Sequence, residues 1–223
     1  MNIEHFSHIV FDMDGVLIDS NHMKVDAARR VMQAILPDVA ATFVDHFQQN
    51  FGLTRYAHFT WAYEHLLAKA GYSAEIIGSL VAQYGKLVAE DYPACAVTRG
   101  THALLAQINC PCYVLTGSEQ SEARTLLHSH QLDTCFDDIL GGPVSKSENL
   151  DWIINTYGIN PAESVLIGDA YHDFEVASRF GFSFILVSQY MPFDNYPLIE
   201  KVKSCGGYVV NTLSDLLTDG VTK

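Results

Sequence analysis

Short apolar runs recur along the sequence, and amphipathic segments separate most of them. The runs are HIVFD near the N-terminus and, after Pro93, CYVLTG, DDILGG, SVLIGD, FSFILVS and GYVV. A continuous apolar run of this length is typical of a strand buried on both faces of a parallel sheet. Segments such as SEQSEARTLLHSH and KSENLDWIINTYG have the pattern of helices between such strands, and LSDLL is expected to form a last helix. This order predicts an α/β fold with a parallel sheet covered on both faces.

A different pattern interrupts the alternation after the first run. From about Asn21 to Asp91 the apolar residues follow a helical spacing throughout. We therefore predict an α/β core formed by residues 1–20 and 93–223, and a helical insertion formed by residues 21–92.

Charge and composition limit the partners of this chain. A hydrophobic content of 48% over 223 residues is enough to fill a sizeable interior. The 26 acidic residues outnumber the 13 basic ones, and no basic run is present. Because nucleic-acid binding needs clustered cations, nucleic acid is not an expected partner. A small phosphorylated metabolite remains compatible, provided that a metal and a few local cations neutralise it.

Targeting and cysteine patterns indicate a cytoplasmic protein that does not enter a membrane. The N-terminus lacks a basic region followed by an apolar one, and no apolar stretch is long enough to span a bilayer. Five cysteines are scattered without the spacing of a zinc site, which favours buried thiols in a reducing compartment. Nothing in the sequence decides between a monomer and a homodimer.

Acidic residues follow two of the strand-like runs. Asp12 and Asp14 end the first run, while Asp169 and Asp173 end and follow SVLIG. Since the carboxyl ends of parallel strands meet at one edge of a sheet, these carboxylates are expected to converge. Such an oxygen-rich cluster suits Mg²⁺. The alternatives are an Asx turn at Asp12 and Asp14, and a purely structural role for Asp173.

Residues suited to binding phosphate follow another run. CYVL leads into Thr116, Gly117 and Ser118, which offer hydroxyls and exposed amides. Lys146 stands at the predicted start of a helix and is the only lysine between Lys86 and Lys201. Thr116 and Ser118 are also compatible with an N-cap, and Lys146 with a solvated helix residue.

These motifs, in this order, resemble those of the haloacid dehalogenase superfamily. Its phosphatases carry DxDG, a Ser or Thr, a Lys and GDxxxD. Here these are Asp12 to Gly15, Thr116, Lys146 and Gly168 to Asp173. The helical insertion resembles the small cap of the phosphoglycolate phosphatase and β-phosphoglucomutase branch. The resemblance implies a Rossmann-like core with an inserted cap that selects the substrate.

The resemblance also implies a mechanism. Asp12 would attack phosphorus, and Asp14 would act as general acid and then as general base. The Asp12 carboxylate, the backbone carbonyl of Asp14, Asp169 and Asp173 would hold Mg²⁺. The phosphoryl oxygens would be bound by Thr116, Gly117 and Lys146.

The resemblance to this branch also bears on Arg55, on Gly117 and on the choice between reactions. In β-phosphoglucomutases an arginine at the position of Arg55 grips a distal phosphate, although a surface arginine is an equal alternative. This chain departs from the branch at Gly117, where Asn is common. The mutases carry Glu-Asp at Gly168-Asp169 and a histidine at the position of Lys24, so hydrolysis is favoured over a phosphosugar mutase. A non-catalytic regulatory protein is the third alternative.

Overall fold

The computed structural model describes residues 3–191 and 195–217 of the chain. Within them six strands form one sheet in which all neighbouring strands are parallel. They are β1 (His8–Phe11), β2 (Cys112–Glu119), β3 (Asp138–Gly142), β4 (Ser164–Gly168), β5 (Ser183–Val187) and β6 (Tyr208–Val210), in the spatial order β3-β2-β1-β4-β5-β6. Each strand-like run of the sequence forms one of these strands, so the predicted α/β fold is confirmed.

The register of the central strands places their carboxyl ends side by side. Phe11 at the end of β1 pairs with Val114 of β2 on one side and with Ile167 of β4 on the other. The residues that follow these three positions therefore share one edge of the sheet. In open parallel sheets this edge is where ligands bind.

Four of the helices that follow β1 lie within residues 21–92, before the chain returns to the core. They are α1 (Asn21–Ile35), α2 (Ala40–Gln49), α3 (Arg55–Ala62) and α4 (Ile76–Asp91). Their apolar faces pack together around Phe43 and Phe59, whose rings stack 5.2 Å apart. These helices begin and end where the helical spacing of the sequence does, and we call residues 21–92 the helical insertion.

The two segments that join the insertion to the core run side by side. Ile18 pairs with Val97 in an antiparallel bridge. The Asp19 N–H donates to the Ala96 carbonyl at 2.9 Å. The insertion is thus attached through one narrow neck.

Helices cover both faces of the sheet. The core helices are α5 (Thr101–Gln107), α6 (Gln120–Ser129), α7 (Lys146–Tyr157), α8 (Tyr171–Phe180) and α9 (Tyr196–Ser204). Along β1, Ile9 and Phe11 pack into one apolar cluster and Val10 into another, as the alternation of side chains along a strand requires. Both faces are therefore buried, which explains the continuous apolar run in the sequence.

The end of the chain differs from the expectation. Instead of a last α-helix, the LSDLL segment forms one 3₁₀ turn, Leu213–Leu216. The Asp215 carboxylate accepts hydrogen bonds from the N–H groups of Asn211 and Thr212, which closes this short turn. Residues 1–2, 192–194 and 218–223, which the sequence assigns to the core, lie outside the described residues. In the described ranges, no helix combines the length and the apolar character needed to cross a membrane.

Candidate active site

Three buried carboxylates meet at the edge of the sheet. Asp12 follows β1, Asp169 follows β4, and Asp173 lies in the first turn of α8. One oxygen of each lies within 4.8 Å of the others. Burial raises the pKa of Asp169 well above its ordinary value, and the negative charge of Asp12 adds to this effect. Burial also raises the pKa of Asp12 to about 7. This set of hard oxygen donors with excess negative charge fits Mg²⁺.

Lys146 supplies the cation of this cluster. It is the first residue of α7, where Ser145 and Glu148 form a capping box that fixes the start of the helix. Its ammonium lies 2.8 Å from Asp12 and 2.5 Å from Asp173. Burial lowers the pKa of Lys146, but the two carboxylates outweigh it and raise this pKa above the ordinary value. Because the side chain is only 1% exposed, Lys146 is not a solvated helix residue.

The Asp14 side chain lies outside the three-carboxylate cluster. It accepts hydrogen bonds from Ser20 at 2.6 Å and from Tyr92 and Ser118 at 2.8 Å each. The ammonium of Lys24 lies 2.7 Å away. Burial raises the pKa of Asp14, but Lys24 and the hydroxyls lower it to about 2 overall. In this structure the Asp14 carboxylate lies beside the three-carboxylate cluster and is bound by these polar groups, and the contact of its backbone carbonyl with a metal stays a prediction.

The last part of β2, which follows CYVL, reaches the same site. The Thr116 hydroxyl donates to Asp14 at 3.3 Å and accepts the Ser118 N–H at 3.1 Å. Helix α6 begins at Gln120, and its N-cap residue is Glu119, so neither Thr116 nor Ser118 caps it. Both hydroxyls face the core site instead.

Gly117 allows the insertion to approach this part of β2. A Cβ atom there would lie 2.6 Å from the carbonyl oxygen of Gly52 and 2.7 Å from that of Leu53. No side chain fits at this distance. Glycine stands here instead of the Asn that is common in the branch, and it permits the close contact between β2 and the insertion.

Arg55 is buried between the insertion and the core. It begins α3, and its guanidinium makes two hydrogen bonds to the carboxylate of Glu122 in α6, one of them 2.9 Å long. It also lies over the ring of Tyr84, 5.3 Å from the centroid. With 7% exposure Arg55 is not a surface arginine. A role in gripping a distal phosphate stays a prediction.

A cavity separates the insertion from the core. Asp12, Asp14 and Gly117 line one side of it, and Phe51 and Arg55 line the other. The enclosed volume is about 20 Å³, room for a single water molecule. The cavity in this structure is therefore too small to hold a phosphomonoester.

Sequence reasoning did not assign several residues of this site. Ser20 and Lys24 are four positions apart, a helical spacing that places them on one face, and this was the available signal. Asn21 donates to Asp169 at 2.6 Å and so orients it. Tyr92 and Glu122 gave no sequence signal, because their partners are distant in the chain.

The fold and the site define an α/β enzyme that carries its reactive groups at the carboxyl edge of a parallel sheet. The chain belongs to the haloacid dehalogenase-like hydrolase family, whose model matches residues 9–187. It is 24% identical over 214 residues to a phosphoglycolate phosphatase of Synechococcus elongatus, covering 94% of each chain.

Two solved structures share the fold. A β-phosphoglucomutase of Clostridium difficile has a TM-score of 0.77 at 17% identity, covering 95% of this chain and 93% of that one. A predicted phosphoglycolate phosphatase of Haemophilus somnus has a TM-score of 0.73 at 18% identity, covering 96% and 98%. The comparisons confirm the predicted family and the predicted class of enzyme, a phosphatase-type hydrolase.

Proposed function

We propose that the protein is a Mg²⁺-dependent phosphatase that hydrolyses a small phosphomonoester through an aspartyl-phosphate on Asp12. The observation that carries the proposal is the meeting of Asp12, Asp169, Asp173 and Lys146 in one buried cluster. A carboxylate can approach a phosphate dianion only when cations cancel the repulsion between them. The phosphoglycolate phosphatases among the relatives support the same reaction class.

The protein groups divide the reaction into two steps. An Asp12 oxygen attacks phosphorus, the bond from phosphorus to the leaving oxygen breaks, and Asp14 donates a proton to that oxygen. Water then attacks the phosphoryl group, Asp14 takes a proton from it, and the bond between Asp12 and phosphorus breaks. Thr116, the Gly117 amide and Lys146 bind the transferring oxygens, where negative charge must be balanced.

Mg²⁺ would be held by the side chains of Asp12, Asp169 and Asp173 and by the backbone carbonyl of Asp14. When bound, it would withdraw charge from the phosphoryl oxygens and lower the repulsion at the attacking carboxylate. Asn21 supports this assignment because its hydrogen bond holds Asp169 toward the cluster.

The reaction of Asp14 requires movement. Its contact with Lys24 favours the ionised form, which is the form needed to accept a proton from water. To act as an acid, it must gain a proton and leave this contact. We propose that residues 21–92 act as a cap on the core of residues 1–20 and 93–223, and that opening of the cap allows this change.

The proposal also includes the cellular compartment and the oligomeric state. All five cysteines are free. This supports a reducing compartment, and we place the protein in the cytoplasm as a monomer or homodimer.

Gly168 argues against the phosphosugar mutase as an alternative. A Cβ atom at this position would lie 2.4 Å from the Cβ of Asp173, so the glutamate that mutases carry there would displace Asp173. The intact carboxylates and Lys146 argue against a non-catalytic protein.

A screen of phosphomonoesters, with and without Mg²⁺, tests the proposal by measuring free phosphate. Glycolate, sugar and nucleotide phosphates, together with pyrophosphate, would separate the branches of the family. We expect Mg²⁺-dependent release in the wild type and none in Asp12→Asn. Unchanged release in that variant would overturn the mechanism, and conversion of a sugar phosphate to an isomer with little free phosphate would favour the mutase.

A further inference from the structure

Two polar atoms beside the cavity are not among the groups proposed to bind phosphate. The His58 Nδ1 in α3 and the Tyr84 hydroxyl in α4 are buried and, among the described residues, have no hydrogen-bond partner. Both side chains line the cavity that also contains Asp12. Leaving a buried polar atom unpaired costs free energy, so these atoms favour a hydrogen-bonding partner that enters the cavity, whether water or a ligand group.

The cations of this cavity are already paired. Among the described residues that line it, Arg55 and Lys24 carry positive charge. Arg55 is held by Glu122 through two hydrogen bonds, and Lys24 lies 2.7 Å from Asp14. While Asp14 is ionised and paired with Lys24, the described residues that line the cavity therefore offer no uncompensated positive charge away from the phosphoryl group.

The two unpaired groups are themselves neutral. Burial lowers the pKa of His58 well below its ordinary value, and burial raises the pKa of Tyr84. Each can exchange hydrogen bonds with a hydroxyl, while Phe47 and Phe51 beside them supply apolar surface.

We infer that His58, Tyr84 and the Arg55–Glu122 pair form a subsite for an uncharged, hydroxyl-bearing leaving group and select against a carboxylate or a second phosphate. A hydroxyl would satisfy the unpaired atoms, whereas a buried anion would meet no free cation. Arg55 then acts by fixing Glu122 and by packing on Tyr84, not by binding a distal anion. The inference rests on the proposed phosphatase activity and adds the class of substrate to it.

Three esters of similar size test this selectivity. Ethyl phosphate, 2-hydroxyethyl phosphate and 2-phosphoglycolate differ only in a terminal methyl, hydroxymethyl or carboxylate group. We expect kcat/KM for 2-hydroxyethyl phosphate to exceed that for 2-phosphoglycolate by about 100-fold, because an unpaired charge must lose its water. A preference for 2-phosphoglycolate would overturn the inference.

Glu122→Gln tests the role of charge. It keeps the shape of the side chain but frees the charge of Arg55, so the preference should shift toward 2-phosphoglycolate by about tenfold or more. Glu200→Gln is the matched control, since Glu200 pairs only loosely with Lys203 on the exposed face of α9. A ratio that is the same in the wild type and both variants would contradict the role of Glu122.

Tyr84→Phe separates binding from folding. Because the hydroxyl is unpaired, its loss should leave the free energy of unfolding unchanged or higher. We expect kcat/KM for 2-hydroxyethyl phosphate to fall about tenfold while that for ethyl phosphate is retained. Equal losses on both esters would overturn the assignment of Tyr84.

Hydrolysis of p-nitrophenyl phosphate separates the two proposals. If it proceeds with Mg²⁺ but the ester preferences are reversed, the subsite is wrong and the phosphatase stands. If no ester releases phosphate, both fail.

Discussion

The stability of the metal-free protein should depend on pH through Asp12. Burial raises the pKa of this carboxyl from 3.8 to about 7. Between these values the folded state holds a proton that the unfolded chain has lost, so stability falls as pH rises through about 7. The slope is about 1.4 kcal/mol per pH unit, and from about pH 5.5 to about pH 8 the loss amounts to about 2 kcal/mol.

Asp12→Asn tests this effect, because it keeps the shape of the side chain and removes its ionisation together with the charge that raises the pKa of Asp169. Buried histidines such as His58 titrate with the opposite sign in an overlapping range, but they are the same in both proteins. Measured by urea denaturation in EDTA, the stability of the variant relative to the wild type should rise by about 2 kcal/mol over this interval. A difference that does not change with pH would refute the reasoning. Added Mg²⁺ should stabilise the wild type more than the variant.

Two further substitutions test contacts around the site. Lys24→Met removes the cation that lowers the pKa of Asp14, so this pKa should rise and the free energy of unfolding at neutral pH should fall by about 3 kcal/mol in urea denaturation. The contribution of Asp14 is present above about pH 3.8 and is lost as the pH falls through about 2, so the two proteins should converge in acid. Gly117→Ala would place a methyl group 2.6 Å from a backbone carbonyl of the insertion, and kcat/KM should fall about tenfold. Gly78→Ala, with nothing within 4 Å, should leave kcat/KM unchanged; equal effects of the two alanines would contradict the steric explanation.

The sheet could be predicted from the sequence because burial on both faces leaves a continuous apolar run. The same logic brought Asp12 and Asp169 together, since parallel strands present their carboxyl ends at one edge. Lys146 could be assigned to the site because it stands at the predicted start of a helix. Each of these features follows from a local pattern in the sequence combined with the common direction of parallel strands.

The contacts between the insertion and the core could not be predicted in this way. Arg55 and Glu122 are 67 positions apart, and each fits a helix equally well without the other. The same holds for the hydrogen bond of Tyr92 to Asp14, which spans 78 positions. Such pairs depend on how the surfaces of the insertion and the core meet, and this leaves no periodic pattern in the sequence. LSDLL was too short for its pattern to distinguish a 3₁₀ turn from an α-helix.

The narrow neck of the insertion has a consequence for how such chains diversify. The Thr98 N–H donates to the Leu17 carbonyl at 2.9 Å, so the chain returns to almost the point at which it left the core. A segment with adjoining ends can be lengthened, shortened or exchanged while β1 and α5 keep their paths. A change in the insertion can thus alter which substrates are preferred, while the core residues that act on the phosphate group are retained.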